Sequence, residues 1–339
     1  MILDGIDYGR VWSASGARGF FGEGYWFHSP LRPFGLDWRG STFVAKTTTM
    51  EPRAGNMPLV GTRPREWKPK CIEVNFRRGA VLNAVGLSGP GLVRLLADGR
   101  WQARTEPFVL SFAAVSVTPE DRRTEVEEFA DWLDVCRDSQ WRKLNQVFCA
   151  PFALEVNASC PNTGHDPAAL MAEVATWLDL FRDHLPGVPL LPKINALVPV
   201  DAARELAFHD ACDGLVVSNT IPWTALEDME RRRTLGIITG GILNVARAAF
   251  GRVSPLAHLG GGGISGAPLF YLVHGWVTEA VSSGFPVPIV AGGGILSSRH
   301  ATLLLTAGAS AVELGSVAIL RPWRVRGIIR FINRRQSHG

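Results

Sequence analysis

A cysteine on a polar loop is the residue of this sequence that is best suited to chemistry. Cys160 lies in the stretch EVNASCPNTG, after a β-like run and between Asn157 and Asn162. Free cysteines are usually buried and inert, but this loop is too hydrophilic to be a core segment. A thiolate there can abstract a proton if a nearby ammonium group or a closed hydrogen-bonded site lowers its pKa toward neutrality. The loop therefore presents Cys160 in a setting that would suit proton abstraction. The cysteines predicted to be packing residues are Cys71, Cys136, Cys149 and Cys212.

Other polar residues follow or interrupt β-like runs elsewhere in the chain. Lys193 is the most unusual, because it lies inside the apolar run LLPKINA, where an ammonium group must find a partner or lose its charge. A structural salt bridge and an anionic ligand both meet that requirement. The other polar residues at the ends of such runs are Lys46, Asn83, Asn157, Asn219 and Thr220. They converge on one cavity if the runs are strands of a barrel.

Glycine-rich segments mark the last third of the chain. GGGGISG spans 260–266, AGGGI spans 291–295, and a Gly-Ser pair occupies 315–316. Glycine runs often serve as plain turns. However, phosphate sites in β/α barrels are commonly built by the loops after the seventh and eighth strands, where backbone N–H groups face the anion. A phosphate-bearing cofactor is therefore plausible.

The sequence contains none of the familiar metal or serine-hydrolase motifs. Its eight histidines show no HxxxH or HExxH spacing, GLSGPG does not have the order of a nucleophile elbow, and no Walker motif occurs. His165 follows Cys160 closely, but a histidine on a surface loop is the simpler interpretation. We predict no metal site.

Eight short apolar or β-branched runs alternate with helical patterns, which is typical of βαβ units around a parallel sheet. Eight units favour a closed (β/α)8 TIM barrel, an α/β fold, over an open doubly wound sheet. Helical patterns include 119–138 and 166–185. The predicted strands are 41–47, 80–86, 108–114, 152–158, 190–196, 214–220, 287–293 and 310–316.

We expect residues 1–339 to form one barrel domain with two long excursions. Residues 51–79 and 222–263 are too long for ordinary barrel connections, so we predict that they build the rim of the active site. The basic tail RPWRVRGIIRFINRRQSHG fits a last barrel helix with a solvated basic face, or a segment that contacts anionic lipid or an acidic partner.

The composition narrows the class of protein. Hydrophobic residues make up 46% and charged residues 19%, which fits a packed globular protein. A net charge of +4 without a continuous basic stripe argues against nucleic-acid binding. The five cysteines are widely spaced and odd in number, which indicates a reducing, cytoplasmic compartment rather than a disulfide framework. The start MILDGIDYGRVW does not look like a signal peptide, and we expect no membrane span.

Together these segments resemble the dihydroorotate dehydrogenases, which are FMN-dependent β/α barrels. The resemblance extends over roughly residues 11 to 320 and is carried by distributed motifs. These are SASGARGFFGEGY (13–25), VAKTTTMEPRAGNMP (44–58), LNAVGL (82–87), EVNASCPNTG (155–164), PKI, SNT, GGGISG, AGGGI and ELGS. A cysteine rather than a serine base is similar to the soluble, class 1-like branch of the family.

The resemblance implies a role for each matching residue. Cys160 would be the catalytic base, Lys46 would face both substrate and flavin, and Lys193 would face the N1/O2 edge of the flavin. Substrate contacts would come from Lys46, Asn83, Ala84, Val85, Gly86, Leu87, Asn157, Asn162, Asn219 and Thr220. FMN contacts would come from Ser15, Lys46, Thr47, Asn157, Lys193, Ser218, Gly266, Gly293, Gly294, Gly315 and Ser316.

The resemblance implies FMN-dependent oxidation of dihydroorotate to orotate in pyrimidine biosynthesis. The alternatives are the same barrel acting on another dihydropyrimidine or cyclic substrate, and a non-catalytic flavin- or phosphate-binding barrel or partner subunit. Family members are often homodimers, so a homodimer is expected. They use fumarate, a partner flavoprotein or quinone as electron acceptor, and no residue here selects one.

Overall fold

The computed structural model describes residues 1–137, 147–158 and 167–336, of which residues 167–170 and 335–336 are described by their backbone alone. Eight parallel strands form the predicted barrel. A bridge between Trp12 and Thr42 joins the two edge strands of the sheet. The strands are β1 (Val11–Ser13), β2 (Phe43–Val44), β3 (Phe108–Phe112), β4 (Phe152–Asn157), β5 (Leu190–Ile194), β6 (Leu215–Val217), β7 (Ile289–Gly292) and β8 (Ala311–Leu314). Each pairs in parallel with its neighbours along the chain, and β8 pairs with β1.

One of the eight predicted strands is not a barrel strand. Residues 80–86 were expected in the barrel, but Ala80–Asn83 pairs antiparallel with Ile72–Asn75. Only the short connection 76–79 links the two strands, and it ends in a glycine with φ 61°. A connection this short joins antiparallel strands, because a parallel crossover needs a dozen or more residues. The missing barrel strand is β1, whose three residues give too short an apolar run to predict.

Helices surround the barrel. The predicted helix 119–138 is observed as Pro119–Val135. Thr118 caps its amino end, because the Thr118 hydroxyl accepts a hydrogen bond from the Asp121 N–H. The second predicted helix is observed as Pro167–His184. None of the helices in the described residues is both long and apolar enough to cross a membrane. The other helices are His28–Leu31, Leu92–Asp98, Val200–Ala207, Trp223–Arg231, Ile237–Phe250, Phe270–Ser282, Ser298–Thr306, Val317–Leu320 and Val325–Gln336.

The basic tail contains the last of these helices. Val325–Gln336 buries Ile328, Ile329 and Ile332 against the barrel, whereas Trp323 precedes the helix and is 58% exposed. An apolar stripe opposite a basic face is the arrangement predicted for a last barrel helix.

A small antiparallel sheet lies beside the carboxyl ends of the barrel strands. Its strands are ordered Ile221–Pro222, Gly263–Gly266, Ala80–Asn83 and Ile72–Asn75. Because Ile221 follows β6 by only a few residues, this sheet must start at the carboxyl end of the barrel. It therefore brings Asn83 to the same end as the polar residues that follow β4 and β6. Two short hairpins, Ile2–Leu3 with Ile6–Asp7 and Leu59–Val60 with Arg63–Pro64, complete the described strands.

The barrel interior changes from apolar to polar along its axis. Trp12 is fully buried in an apolar cluster at the amino end of the strands, together with Val44, Val109, Ala153, Leu191, Val216, Val290 and Ala311. Side chains alternate along a strand, so the residue two positions further on points into the same interior. At that next level lie Ser111, Glu155, Lys193 and Glu313, all at most 4% exposed. The polar layer therefore lies directly above the apolar one.

Candidate active site

Lys193 is held by two carboxylates inside the barrel. Its Nζ lies 3.1 Å from Glu155 Oε2 and 2.9 Å from Glu313 Oε2. Burial alone would lower the pKa of Lys193, but the two carboxylates outweigh burial and raise it. Burial also raises the pKa of Glu313 to about 7, against the opposing effect of the lysine. Of the two interpretations of Lys193, the structure thus shows the salt bridge.

Glu155 and Glu313 were not singled out in the sequence, although a signal was present. Each is a lone charged residue in an otherwise apolar strand, FALEVN for β4 and AVEL for β8. The pattern is the same as that of Lys193 in LLPKI. A buried charge of one sign requires a partner of the other sign, so three such strands in one barrel predict an interior ion cluster.

A chain of hydrogen bonds leads from this cluster to the predicted flavin residues Ser15 and Thr47. Ser111 Oγ donates to Glu155 Oε1 over 2.7 Å. The hydroxyls of Thr47 and Ser111 are 3.0 Å apart, and those of Ser15 and Thr47 are 2.8 Å apart. Ser15, Thr47 and Lys193 therefore belong to one buried network, which Ser111 and Glu155 connect.

A second group of predicted residues meets where β4 and β6 end. Asn219 Nδ2 donates to Asn157 Oδ1 over 2.7 Å, and the Thr220 N–H donates to Asn219 Oδ1 over 3.2 Å. Gly263 packs closely against Thr220, because a Cβ added to this glycine would lie only 2.2 Å from the Thr220 hydroxyl. Asn83 Nδ2 reaches the Gly263 carbonyl at 3.4 Å. Four of the polar residues predicted to contact substrate are thus adjacent: Asn83, Asn157, Asn219 and Thr220.

Lys46 is the second buried lysine, and its surroundings differ from those of Lys193. It is 7% exposed, its Nζ donates to the Ser88 carbonyl over 2.6 Å, and the ammonium lies 4.9 Å from the centre of the Phe20 ring. Among the described residues, no carboxylate forms a salt bridge with it. Burial lowers the pKa of Lys46 to about 8. This lysine therefore has a positive charge that the described protein does not compensate.

The predicted substrate segment forms a loop next to Lys46. Asn56 Nδ2 donates to the Ala84 carbonyl over 2.8 Å, and Ser88 Oγ donates to the Val85 carbonyl over 3.1 Å. Because Ser88 also accepts from Lys46 through its carbonyl, it fixes the lysine and the loop together. Ser88 was not predicted as a site residue. The residues of this loop that were predicted to contact substrate are Ala84, Val85, Gly86 and Leu87, and Leu87 has φ 57°.

The predicted phosphate region presents backbone donors. Within the described part of the chain, the N–H groups of Gly294, Gly315 and Ser316 have no hydrogen-bond partner, whereas the register of β7 and β8 directs the Gly293 N–H toward the Glu313 carbonyl. They follow β7 and β8, where barrel phosphate sites are commonly found. Gly266 lies beside them, since a Cβ at Gly294 would be 2.9 Å from the Gly266 carbonyl. This end of the barrel can therefore hold an anion through backbone groups.

Ser218 connects the phosphate side of the mouth to the asparagine group. Its N–H donates to the Gly292 carbonyl over 2.7 Å, and its hydroxyl donates to the Asn219 carbonyl over 2.6 Å. The hydroxyl also accepts from the Ala196 N–H. Cys160 and Asn162, the predicted base and a predicted substrate contact, lie outside the described residues.

An alanine at Gly294 is expected to destabilise the protein and weaken the anion site. Gly294 has φ +69°, and an added Cβ would lie 2.8 Å from the backbone nitrogen of Phe270. A left-handed conformation costs a non-glycine residue about 1–2 kcal/mol, and the overpacking adds roughly 1–3 kcal/mol. Gly284→Ala is the matched control, because Gly284 has φ +70° but nothing within 4 Å of the added atom. Equal free energies of unfolding in the two variants would contradict this prediction.

These features define a class: a β/α barrel with a buried lysine and backbone N–H donors at the carboxyl ends of its strands, groups that are suited to anionic ligands. No family model matches the chain. The catalytic subunit of dihydroorotate dehydrogenase B (NAD(+)) of Desulforudis audaxviator is 30% identical over 324 residues, 92% of this chain and 83% of that protein. Dihydroorotate dehydrogenase A (fumarate) of Limosilactobacillus reuteri is 27% identical over 319 residues, 91% of this chain and 83% of that protein.

The fold of this chain is also similar to that of a solved dihydroorotate dehydrogenase structure. The dihydroorotate dehydrogenase of Eimeria tenella in complex with ferulenol superposes with a TM-score of 0.63 at 20% identity, covering 99% of this chain and 85% of that one. The chain belongs to the dihydroorotate dehydrogenase family. It is a divergent member of this family of oxidoreductases, which act on CH–CH bonds.

Proposed function

We propose that this chain oxidises dihydroorotate to orotate with FMN as its cofactor, as a step of pyrimidine biosynthesis. The observation that carries the proposal is Lys46. A buried ammonium that has no carboxylate partner in the described part of the chain, together with the side chains of Asn83, Asn157 and Asn219, suits a flat cyclic amide that bears one carboxylate. Family membership supplies the reaction class.

The chemistry of the donor set fits FMN. The unpartnered N–H groups after β7 and β8 suit its phosphate, and Gly266 borders them. Ser15, Thr47, Asn157, Lys193 and Ser218 would lie along the rest of the cofactor, with Lys46 between cofactor and substrate. When bound, FMN supplies the ring that accepts a hydride from C6 of the substrate.

The residues of the chain would divide the remaining work. Cys160, as a thiolate, would take the C5 proton. The three asparagines would orient the ring through neutral hydrogen bonds, and Lys46 would pair with the carboxylate. The positive charge of Lys193 would favour negative charge on the cofactor side.

The visible spectrum of the purified protein tests the proposal. We expect a yellow protein whose absorption bands bleach anaerobically when dihydroorotate is added. A colourless protein that does not take up FMN would refute the cofactor assignment, and a yellow protein that bleaches only with another dihydropyrimidine would refute the substrate assignment.

Removing the Lys46 charge is expected to weaken orotate binding without harming the fold. A hydrogen bond to a charged group contributes about 1.5–3 kcal/mol, so Lys46→Met should raise the Kd of orotate roughly 10- to 100-fold. The Kd of uracil, which lacks the carboxylate, should change little. The free energy of unfolding should stay equal or rise, because an uncompensated buried charge is lost. Unchanged orotate affinity would contradict the assigned substrate.

The same lysine gives the binding a pH dependence. Because burial lowers the pKa of Lys46 to about 8, the ammonium form that pairs with a carboxylate is lost as the pH rises above that value. The Kd of orotate should therefore increase above pH 8, by at most tenfold per pH unit, and the increase should be absent in Lys46→Met.

The homodimer implied by the family resemblance and the reducing compartment indicated by the cysteines stay predictions. Among the described residues, Cys71, Cys136, Cys149 and Cys212 are free thiols.

A further inference from the structure

The ion cluster in the barrel contains one more carboxylate than it has cations. Glu155 and Glu313 both contact the Lys193 ammonium, and the three side chains are at most 5% exposed. Among the described residues, the charged groups that act on Glu313 are Lys193 and Glu155. With all three groups ionised, the buried cluster carries one net negative charge. A buried net charge is costly in a low-dielectric interior, so the cluster has a strong tendency to bind one proton.

The hydrogen bonds indicate which carboxyl group takes that proton. Among the described residues, Glu155 accepts from the Ser111 hydroxyl as well as from Lys193, whereas Glu313 accepts from Lys193 and shares a hydrogen bond with the Glu155 carboxyl group, which raises the pKa of Glu313. Donors stabilise the ionised form of a carboxyl group, so Glu155 is better compensated than Glu313. Burial and the neighbouring Glu155 accordingly raise the pKa of Glu313 to about 7.

We propose that Glu313 is a positioning residue that couples electron uptake by the flavin to the uptake of one proton from solvent. The inference rests on the proposed function, because it places FMN against the Lys193 cluster. The CH–CH substrate loses a hydride from C6 and a proton from C5. The hydride adds one negative charge to the cofactor side, and the Glu313 carboxylate binds a solvent proton to become a carboxylic acid. Lys193 then has one ionised partner, Glu155, instead of two. The positive charge of the lysine is therefore less neutralised and can stabilise the negative charge on the cofactor.

The coupling is reversible, and its charges balance. When the electron acceptor removes the two electrons, Glu313 releases its proton and again pairs with Lys193. Each full cycle therefore moves one proton on and off the cluster. Over the pH range in which Glu313 is ionised before reduction and protonated after it, reduction takes up two protons for two electrons. Below that range, where Glu313 is already protonated, reduction takes up one.

The midpoint potential of the FMN-loaded protein, measured between pH 5 and pH 9 by equilibration with redox dyes, tests this coupling. In the wild type we expect a break near pH 7, with a slope above the break twice as steep as the slope below it. Glu313→Gln keeps the size and one hydrogen-bond acceptor but cannot ionise, so it should give the shallow slope throughout. A second proton bound by the flavin itself would give a break in the opposite direction.

Two control variants separate Glu313 from Lys46 and Cys160, the other titratable groups that the proposed function uses. Lys46→Met and Cys160→Ala each remove one such group and should retain the break. A wild-type plot without the break overturns the inference whether or not Glu313→Gln folds. A break that persists in Glu313→Gln, or that disappears in either control, overturns it too. A protein that binds no FMN refutes the proposed function itself, whereas a yellow protein without the break refutes the coupling alone.

Discussion

The Cys160→Ala variant is expected to bind FMN normally and to be reduced by dihydroorotate roughly 10²- to 10⁴-fold more slowly at neutral pH, the usual contribution of a positioned general base. The reason is chemical, because alanine has no group that can take the C5 proton, while the residues proposed to hold the cofactor do not include Cys160. Stopped-flow measurement of flavin bleaching gives the rate of this step directly.

Two further variants make the test of Cys160 specific. Cys149 is an exposed cysteine among the described residues, so Cys149→Ala should react at the wild-type rate. Cys160→Ser should recover activity as the pH is raised, since a hydroxyl is a much weaker acid than a thiol and needs a higher pH to ionise. A wild-type rate of flavin bleaching in Cys160→Ala would exclude this cysteine as the base.

The Lys193→Met variant is expected to lose about 3–5 kcal/mol of stability at neutral pH. Breaking a buried ion cluster by removing one partner leaves uncompensated charge in the interior. Here two carboxylates, at 0% and 2% exposure, would lose the one cation that pairs with them among the described residues. The free energy of unfolding, measured by urea titration in saturating FMN, gives the size of the effect.

Lys46→Met is the matched control for Lys193→Met. Both replace a lysine inside the barrel that is at most 7% exposed, but Lys46 has no carboxylate partner among the described residues. The control should therefore lose little or no stability. Adding Glu155→Gln and Glu313→Gln to Lys193→Met should restore most of the lost stability. Equal losses in the two lysine variants would show that the lysine stems, rather than the ion pairs, stabilise the barrel.

The loss of unfolding free energy in Lys193→Met should also depend on pH. Burial raises the pKa of Glu313 and Lys193 opposes that effect, so removing the lysine raises this pKa further above its value in the unfolded chain and the folded state binds more protons. Stability then falls as the pH rises. The loss should be larger at pH 8 than at pH 5, where the carboxyl groups are more easily protonated in the fold.

The strand pattern predicted most of the fold, and its one error has a local cause. Seven of the predicted runs correspond to barrel strands because each contains a buried apolar segment. The run at 80–86 has the same composition, but its connection to Ile72–Asn75 is too short for a parallel crossover. Composition therefore identified a strand, and only the connection length could have shown that it belongs to a hairpin.

The sequence by itself determined the class of the barrel and the family motifs, since both depend on short-range patterns of residue types. It also marked Lys46 and Lys193 as anomalous charges. It did not decide their different roles, because the partners of Lys193 lie 38 and 120 residues away along the chain. Only the parallel register of the strands and the closure of the barrel place Glu155 and Glu313 on Lys193. Among the described residues, the same closure gives Lys46 a carbonyl rather than a carboxylate as its partner, which is the basis for proposing that it pairs with an anionic substrate.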